Sequence, residues 1–136
     1  MRKILPVFML IVAFTASSCK KPAGEGGNSS IQGKVHVTNW NSTFTVVNSD
    51  YYGPDVDVYI IYGDEISYGN RVKTNPDGIY EFQFLRPGKY KIYAYSKDKA
   101  AYQAGNPTPH DIAVYQEVEI TKKKQTISAP DIEILK

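Results

Sequence analysis

Lys73-Thr74-Asn75-Pro76-Asp77-Gly78-Ile79-Tyr80-Glu81-Phe82-Gln83-Phe84-Leu85-Arg86-Pro87-Gly88-Lys89-Tyr90-Lys91-Ile92 decides the fold class. It reads as strand, turn, strand, turn, strand. Pro76 presets φ and Gly78 accepts a positive φ, which is the chemistry of a tight turn. Between the turns Tyr80, Phe82 and Phe84 alternate with Glu81 and Gln83, so one face of that strand is apolar and the other polar. After Arg86-Pro87-Gly88 the alternation resumes, with Tyr90, Ile92 and Ala94 on one side.

The same period of two runs outward in both directions. A first strand spans about Ile31–Thr38, with Ile31, Gly33, Val35 and Val37 on one side. A short strand is expected near Phe44–Val47, then Val56–Tyr62 and Arg71–Thr74. Beyond Ser96 a polar loop, residues 97–111, leads to a strand at about Ile112–Thr121. A last strand covers Gln125–Leu135, bent at Pro130. Helical periodicity is absent. The expectation is an all-β domain over residues 31–136, a seven-stranded antiparallel β-sandwich with Greek-key connections. Its core is predicted to hold Val35, Val37, Val58, Ile60, Tyr80, Phe82, Phe84, Tyr90, Ile92 and Val118.

Four segments carry a family likeness. Ile31-Gln32-Gly33-Lys34-Val35 resembles the opening "hydrophobic-x-Gly-x-Val" of carboxypeptidase regulatory-like domains. Val56-Asp57-Val58-Tyr59-Ile60 is similar to their second strand. Thr74 to Phe82 resembles their "Thr-x-x-x-Gly-x-Tyr/Phe-x-Phe" segment, and Leu85 to Ile92 their "Leu-x-Pro-Gly-x-Tyr-x-hydrophobic" segment. The likeness covers about Ile31–Ser96. It implies a transthyretin-like (prealbumin-like) sandwich and a non-catalytic exported module. The motif residues are turn glycines and core aromatics, so it speaks to fold and not to activity.

The N-terminus gives an address. Arg2 and Lys3 precede an apolar run from Ile4 to Phe14, too short to span a bilayer as a helix and suited to a signal-peptide core. Thr15-Ala16-Ser17-Ser18-Cys19 resembles the lipobox of bacterial lipoproteins, which implies acylation of Cys19 and removal of residues 1–18. Cys19 is the only cysteine, so no intramolecular disulfide can form. Residues 19–30 are polar, small and Gly-rich, and read as a flexible tether. Lys20 stands where inner-membrane retention commonly carries aspartate, which by analogy points to the outer membrane of a Gram-negative envelope. The leader takes two of the 16 basic residues and none of the 14 acidic ones, so the remainder is neutral. A neutral domain argues against nucleic acid as a partner.

Catalytic chemistry has little to stand on. The two histidines, His36 and His110, are far apart in sequence, and no nucleophile elbow, metal-spaced His pair or phosphate loop occurs. No metal and no cofactor is expected. Asp50, Asp55 and Asp57 lie around the start of the Val56 strand, while Asp64 and Glu65 follow it, roughly 20 Å away, so the two groups cannot share an ion. Lys34, Glu81 and Asp131 have the residue types of a Lys–carboxylate crosslink, but they alternate with core positions and point outward.

The pattern that suggests function is aromatic. Tyr59, Tyr93 and Tyr95 oppose the apolar faces of two strands expected to be neighbours, with Ile61 extending the stripe and Lys91 flanking it. Exposed, it would be a contact surface for an envelope protein. Covered by residues 97–111 through Tyr102, it would be a second small core. A carbohydrate-binding lipoprotein of a polysaccharide-uptake system is the alternative, with a curved cleft using Trp40, Tyr51 and Tyr52. The expected role is thus a lipid-anchored, non-catalytic binding or structural module, attached to the membrane through Cys19. Replacing Cys19 by Ser should move the protein from the membrane to the soluble fraction on cell fractionation. A membrane-retained variant with its leader removed would refute the anchor.

Overall fold

The two turns of the deciding segment do more than reverse the chain: each carries it from one sheet to the other. In the computed structural model, which describes residues 19–136, the strands are β1 (Glu25–Trp40), β2 (Val47–Tyr52), β3 (Asp57–Tyr62), β4 (Asn70–Lys73), β5 (Ile79–Leu85), β6 (Gly88–Ser96), β7 (Ile112–Ile120), β8 (Thr126–Ser128) and β9 (Ile132–Leu135). A short helix, α1 (Lys99–Gln103), sits between β6 and β7. One sheet is built around β1, which pairs β5 and β2 antiparallel and β8 and β9 parallel. The second sheet has the order β4-β3-β6-β7, antiparallel throughout. The leader expected at residues 1–18 lies outside the described residues.

The molecule is the all-β sandwich expected, with two corrections of detail. The described residues form nine strands rather than seven, and the β1 sheet is mixed rather than antiparallel. The predicted last strand is split around Ala129-Pro130-Asp131 into β8 and β9. Proline lacks the N–H a central ladder needs, which accounts for the break.

The inner faces interdigitate. Ile31, Val35 and Val37 of β1, Val58 and Ile60 of β3, Tyr80 and Phe82 of β5, and Tyr90 and Ile92 of β6 are all 2% exposed or less. Val118, Ile120, Ile132 and Ile134 complete the core. Phe84 is the exception among the predicted core residues. It is 68% exposed, and Leu85 is buried in its place. Phe84 has φ +58°, and between the pairs Phe82–Ile31 and Leu85–Ser29 β5 carries one residue more than β1. This is a β-bulge, and the extra residue shifts the alternation by one.

The tether is also shorter than residues 19–30. β1 begins at Glu25, and Ala23 packs against the core. The Gly24 N–H donates to the Tyr90 hydroxyl, which donates in turn to the Arg86 carbonyl. The Arg86 N–H donates to the Gly24 carbonyl and its Nε to the Pro22 carbonyl. Gly and Ser carry no apolar alternation, so this docking leaves no trace in residue pattern. The strand expected near Phe44–Val47 forms instead as β2, because Phe44 leaves extended geometry (φ +55°) and turns inward.

Gly78 is required by contact as well as by φ (+74°): a Cβ there would stand 2.7 Å from Tyr52 Cβ. Asn75 Oδ1 accepts from the N–H groups of Asp77 and Ile79 and closes the same turn.

Two predictions follow from this packing. Phe82→Ala should cost about 3–5 kcal/mol of unfolding free energy in a denaturant melt, whereas Phe84→Ala should cost less than about 1 kcal/mol. Equal costs would contradict the bulge.

The Tyr80 hydroxyl is 1% exposed in its residue, without a hydrogen-bond partner, and burial raises its pKa above the ordinary tyrosine value of 10.0. Because the folded value lies above the unfolded one, its contribution is intact below about pH 10 and is lost as pH rises toward the folded value. Tyr80→Phe should therefore leave neutral-pH stability unchanged or higher and should flatten the alkaline decline. A loss above about 1 kcal/mol at pH 7 would refute the missing partner.

Candidate functional site

Register builds a tyrosine surface on the outer face of the four-stranded sheet. Arg71, Tyr59, Tyr93 and Tyr115 stand in one row across β4, β3, β6 and β7. The next row holds Ile61, Lys91 and Glu117. The Tyr59 and Tyr93 rings are stacked, with centroids 5.0 Å apart and planes 12° from parallel. Tyr68 meets the Tyr59 ring edge-on at 5.0 Å, and Tyr95 meets both Tyr59 and Tyr93 at 5.6 Å. Tyr115 lies 5.1 Å from Tyr93. Five rings thus form one cluster, with Tyr93 at its centre.

The three tyrosines singled out from sequence do come together, but they are not equally accessible. Tyr93 is only 7% exposed, Tyr59 is half-buried, and Tyr95 is 49% exposed. The cover over Tyr93 is other tyrosines. The 97–111 segment goes elsewhere: the Tyr102 ring lies tilted 5.0 Å from Phe44, and Lys99 Nζ sits 3.7 Å above the Trp40 ring. Tyr68 and Tyr115, 54% and 52% exposed, belong to the surface and were not anticipated. The outward alternation of β7 could have found Tyr115. Tyr68 lies in the β3–β4 loop, where no periodicity marks it. Ile61, expected to extend the exposed stripe, is buried.

Burial pushes the Tyr93 phenol up to about 12, and Tyr95 beside it adds to the shift. The Tyr93 hydroxyl is then neutral near pH 7, and the centre of the cluster offers a ring and an O–H group rather than an anion. Charge stands at its rim. Arg71 is held above its ordinary range by a hydrogen bond with Tyr59 and by Asp57. An open groove of about 390 Å³ borders the cluster, between Ile61, Glu65, Ile66, Lys91, Tyr115 and Glu117. Ile66 projects from its edge almost fully exposed.

The residues considered for a glycan cleft do not assemble one. Trp40 packs between Phe44 and Lys99. The Tyr52 hydroxyl donates to Asp131 Oδ2 at 3.0 Å, Lys34 Nζ lies 4.7 Å over its ring, and His36 meets its edge. The three aspartates around the start of β3 are likewise dispersed. Asp50 bonds His36 Nε2 at 2.6 Å, Asp55 bonds Lys73 Nζ at 3.1 Å, and Asp57 lies 3.7 Å from Arg71 Nε. Among the described residues, no three His, Cys, Asp or Glu side chains are grouped to hold a metal. Cys19 is exposed and unpaired at the start of the described chain.

No protein-family model and no curated protein matches the sequence. Among solved structures, the chain is similar to a Pseudomonas aeruginosa protein described as a candidate carbohydrate-binding protein. The TM-score is 0.45 at 11% identity, over 84% of this chain and 92% of that one.

Proposed function

We propose that this chain is a lipid-anchored, non-catalytic β-sandwich module of a Gram-negative envelope, held to the outer membrane through Cys19, and that its tyrosine face binds an envelope protein. The sequence resemblance of the four segments quoted above to carboxypeptidase regulatory-like domains supports the module reading. The observation that carries the contact surface is the five-ring cluster with Tyr68, Tyr95 and Tyr115 half-exposed on a sheet face. Tyrosine gives large contact area with few rotatable bonds, so ordering it on binding costs little entropy. Here Tyr59 and Tyr93 already hold their neighbours in place, which lowers that cost further.

The face is open, and its rings are backed by other rings rather than arranged around a pocket. That shape favours a protein surface over a sugar chain, which calls for a cleft with convergent polar groups. His36 is engaged with Asp50 and Lys73 with Asp55, away from the groove beside the cluster.

A photo-crosslinking amino acid placed at position 95 or 115 in the full chain, in cells, should give a discrete protein adduct. The same label at Glu81, exposed on the other sheet, should not. Absence of an adduct from both tyrosine positions would refute the proposal. So would glycan-array binding that survives Tyr95→Ala and Tyr115→Ala but is lost with Tyr52→Ala.

A further inference from the structure

β7 is an edge strand with few of the usual protections. It lies at the end of the β4-β3-β6-β7 sheet and pairs with β6 over nine consecutive residues without a bulge, so it is regular along its whole length. It contains no proline and no lysine. The opposite edge, β4, is only four residues long. Among the described residues, no turn or loop backbone group bonds to β7, and its one side-chain hydrogen bond runs inward, from Gln116 Nε2 to the Asp131 carbonyl of the segment between β8 and β9. A row of backbone N–H and C=O groups is therefore turned to solvent, which is a template for another strand.

The sequence of this strand says which strand fits. Its inward-facing residues are Ile112, Val114, Gln116, Val118 and Ile120, opposite the core residues Ala94, Ile92 and Tyr90 of β6. They read the same in both directions about Gln116. The outward residues are Ala113, Tyr115, Glu117 and Glu119. We propose that two copies of this chain join β7 to β7 antiparallel, about a two-fold axis at Gln116, into one eight-stranded sheet.

In that register Ile112 faces Ile120 and Val114 faces Val118 of the second copy. Ile112, 45% exposed in the single chain, is then covered by an apolar partner. Tyr115 faces Glu117 and Ala113 faces Glu119, so no two acids oppose one another. Centring the axis on Glu117 would set that acid against itself, and centring it on Tyr115 would set Glu119 against Asp111. Like charges directly opposite destabilise a sheet, so the charge pattern selects the Gln116 axis. The joined sheet would carry both tyrosine clusters on one continuous face, though the pairing does not depend on what that face binds.

The test is sedimentation equilibrium on the full chain in density-matched non-ionic detergent, with circular dichroism to verify the fold of each variant. The parent should show the mass of two chains at about 50 µM, because self-association follows mass action. Ala113→Glu places an acid opposite Glu119 at both ends and should weaken the dimer roughly tenfold. Ala113→Lys places a base there and should leave it as tight or tighter. A parent that stays monomeric at that concentration would overturn the proposal. So would a dimer whose strength ignores the sign of the charge at position 113.

Discussion

β1 is the strand on which the rest of the molecule is assembled. Its 16 residues hydrogen-bond β5 and then β2 along one edge, and β8 and then β9 along the other. Every other strand of that sheet therefore takes its register from β1. The inward side chains Ile31, Val35 and Val37 are fully buried, and each strand that joins β1 adds a wall around them. Gly33 breaks the row for a physical reason: the Tyr80 ring lies against its Cα, and a Cβ there would collide with it. A large aromatic can enter the core only because its direct cross-strand partner has no side chain.

The second sheet depends on the first through its connections. The Asn75–Gly78 turn and the Arg86–Gly88 turn both switch sheets, so β5 and β6, adjacent in sequence, have different neighbours. The Tyr90 hydroxyl locks the second crossing by joining Gly24 of the β1 entry to Arg86 of the corner. Because this group is buried and well bonded, it contributes specificity as well as energy. With that corner in place, β6 lies between β3 and β7 and brings Tyr93 between Tyr59 and Tyr115.

The outer tyrosine face is then a layer of its own. Each close aromatic pair is worth about 0.5–1.5 kcal/mol beyond its buried area. Tyr93 is the shared member, so removing it would loosen the whole cluster. The more exposed Tyr68, Tyr95 and Tyr115 could be changed at less structural expense. At its rim Arg71 is paired with Asp57 at the surface, 3.7 Å away, where such a pair contributes little. Stability therefore comes from burial, while the charges shape what approaches.

Residue alternation by itself determined the all-β class, the positions of β3, β5, β6 and β7, and every named core residue but Phe84, because a two-residue period leaves one face apolar. It also placed Tyr59, Tyr93 and Tyr95 on the face opposite that core. Only the tertiary structure decided the rest. The bulge at Phe84 exchanged it for Leu85, since one added residue inverts alternation without changing composition. The Gly24–Ser30 segment joined β1 through backbone bonds, to which side-chain pattern is blind. Tyr68 entered the cluster from a loop, where there is no period to read. Whether Tyr93 was exposed depended on how many rings converge on it, and that is set by the register of four strands at once.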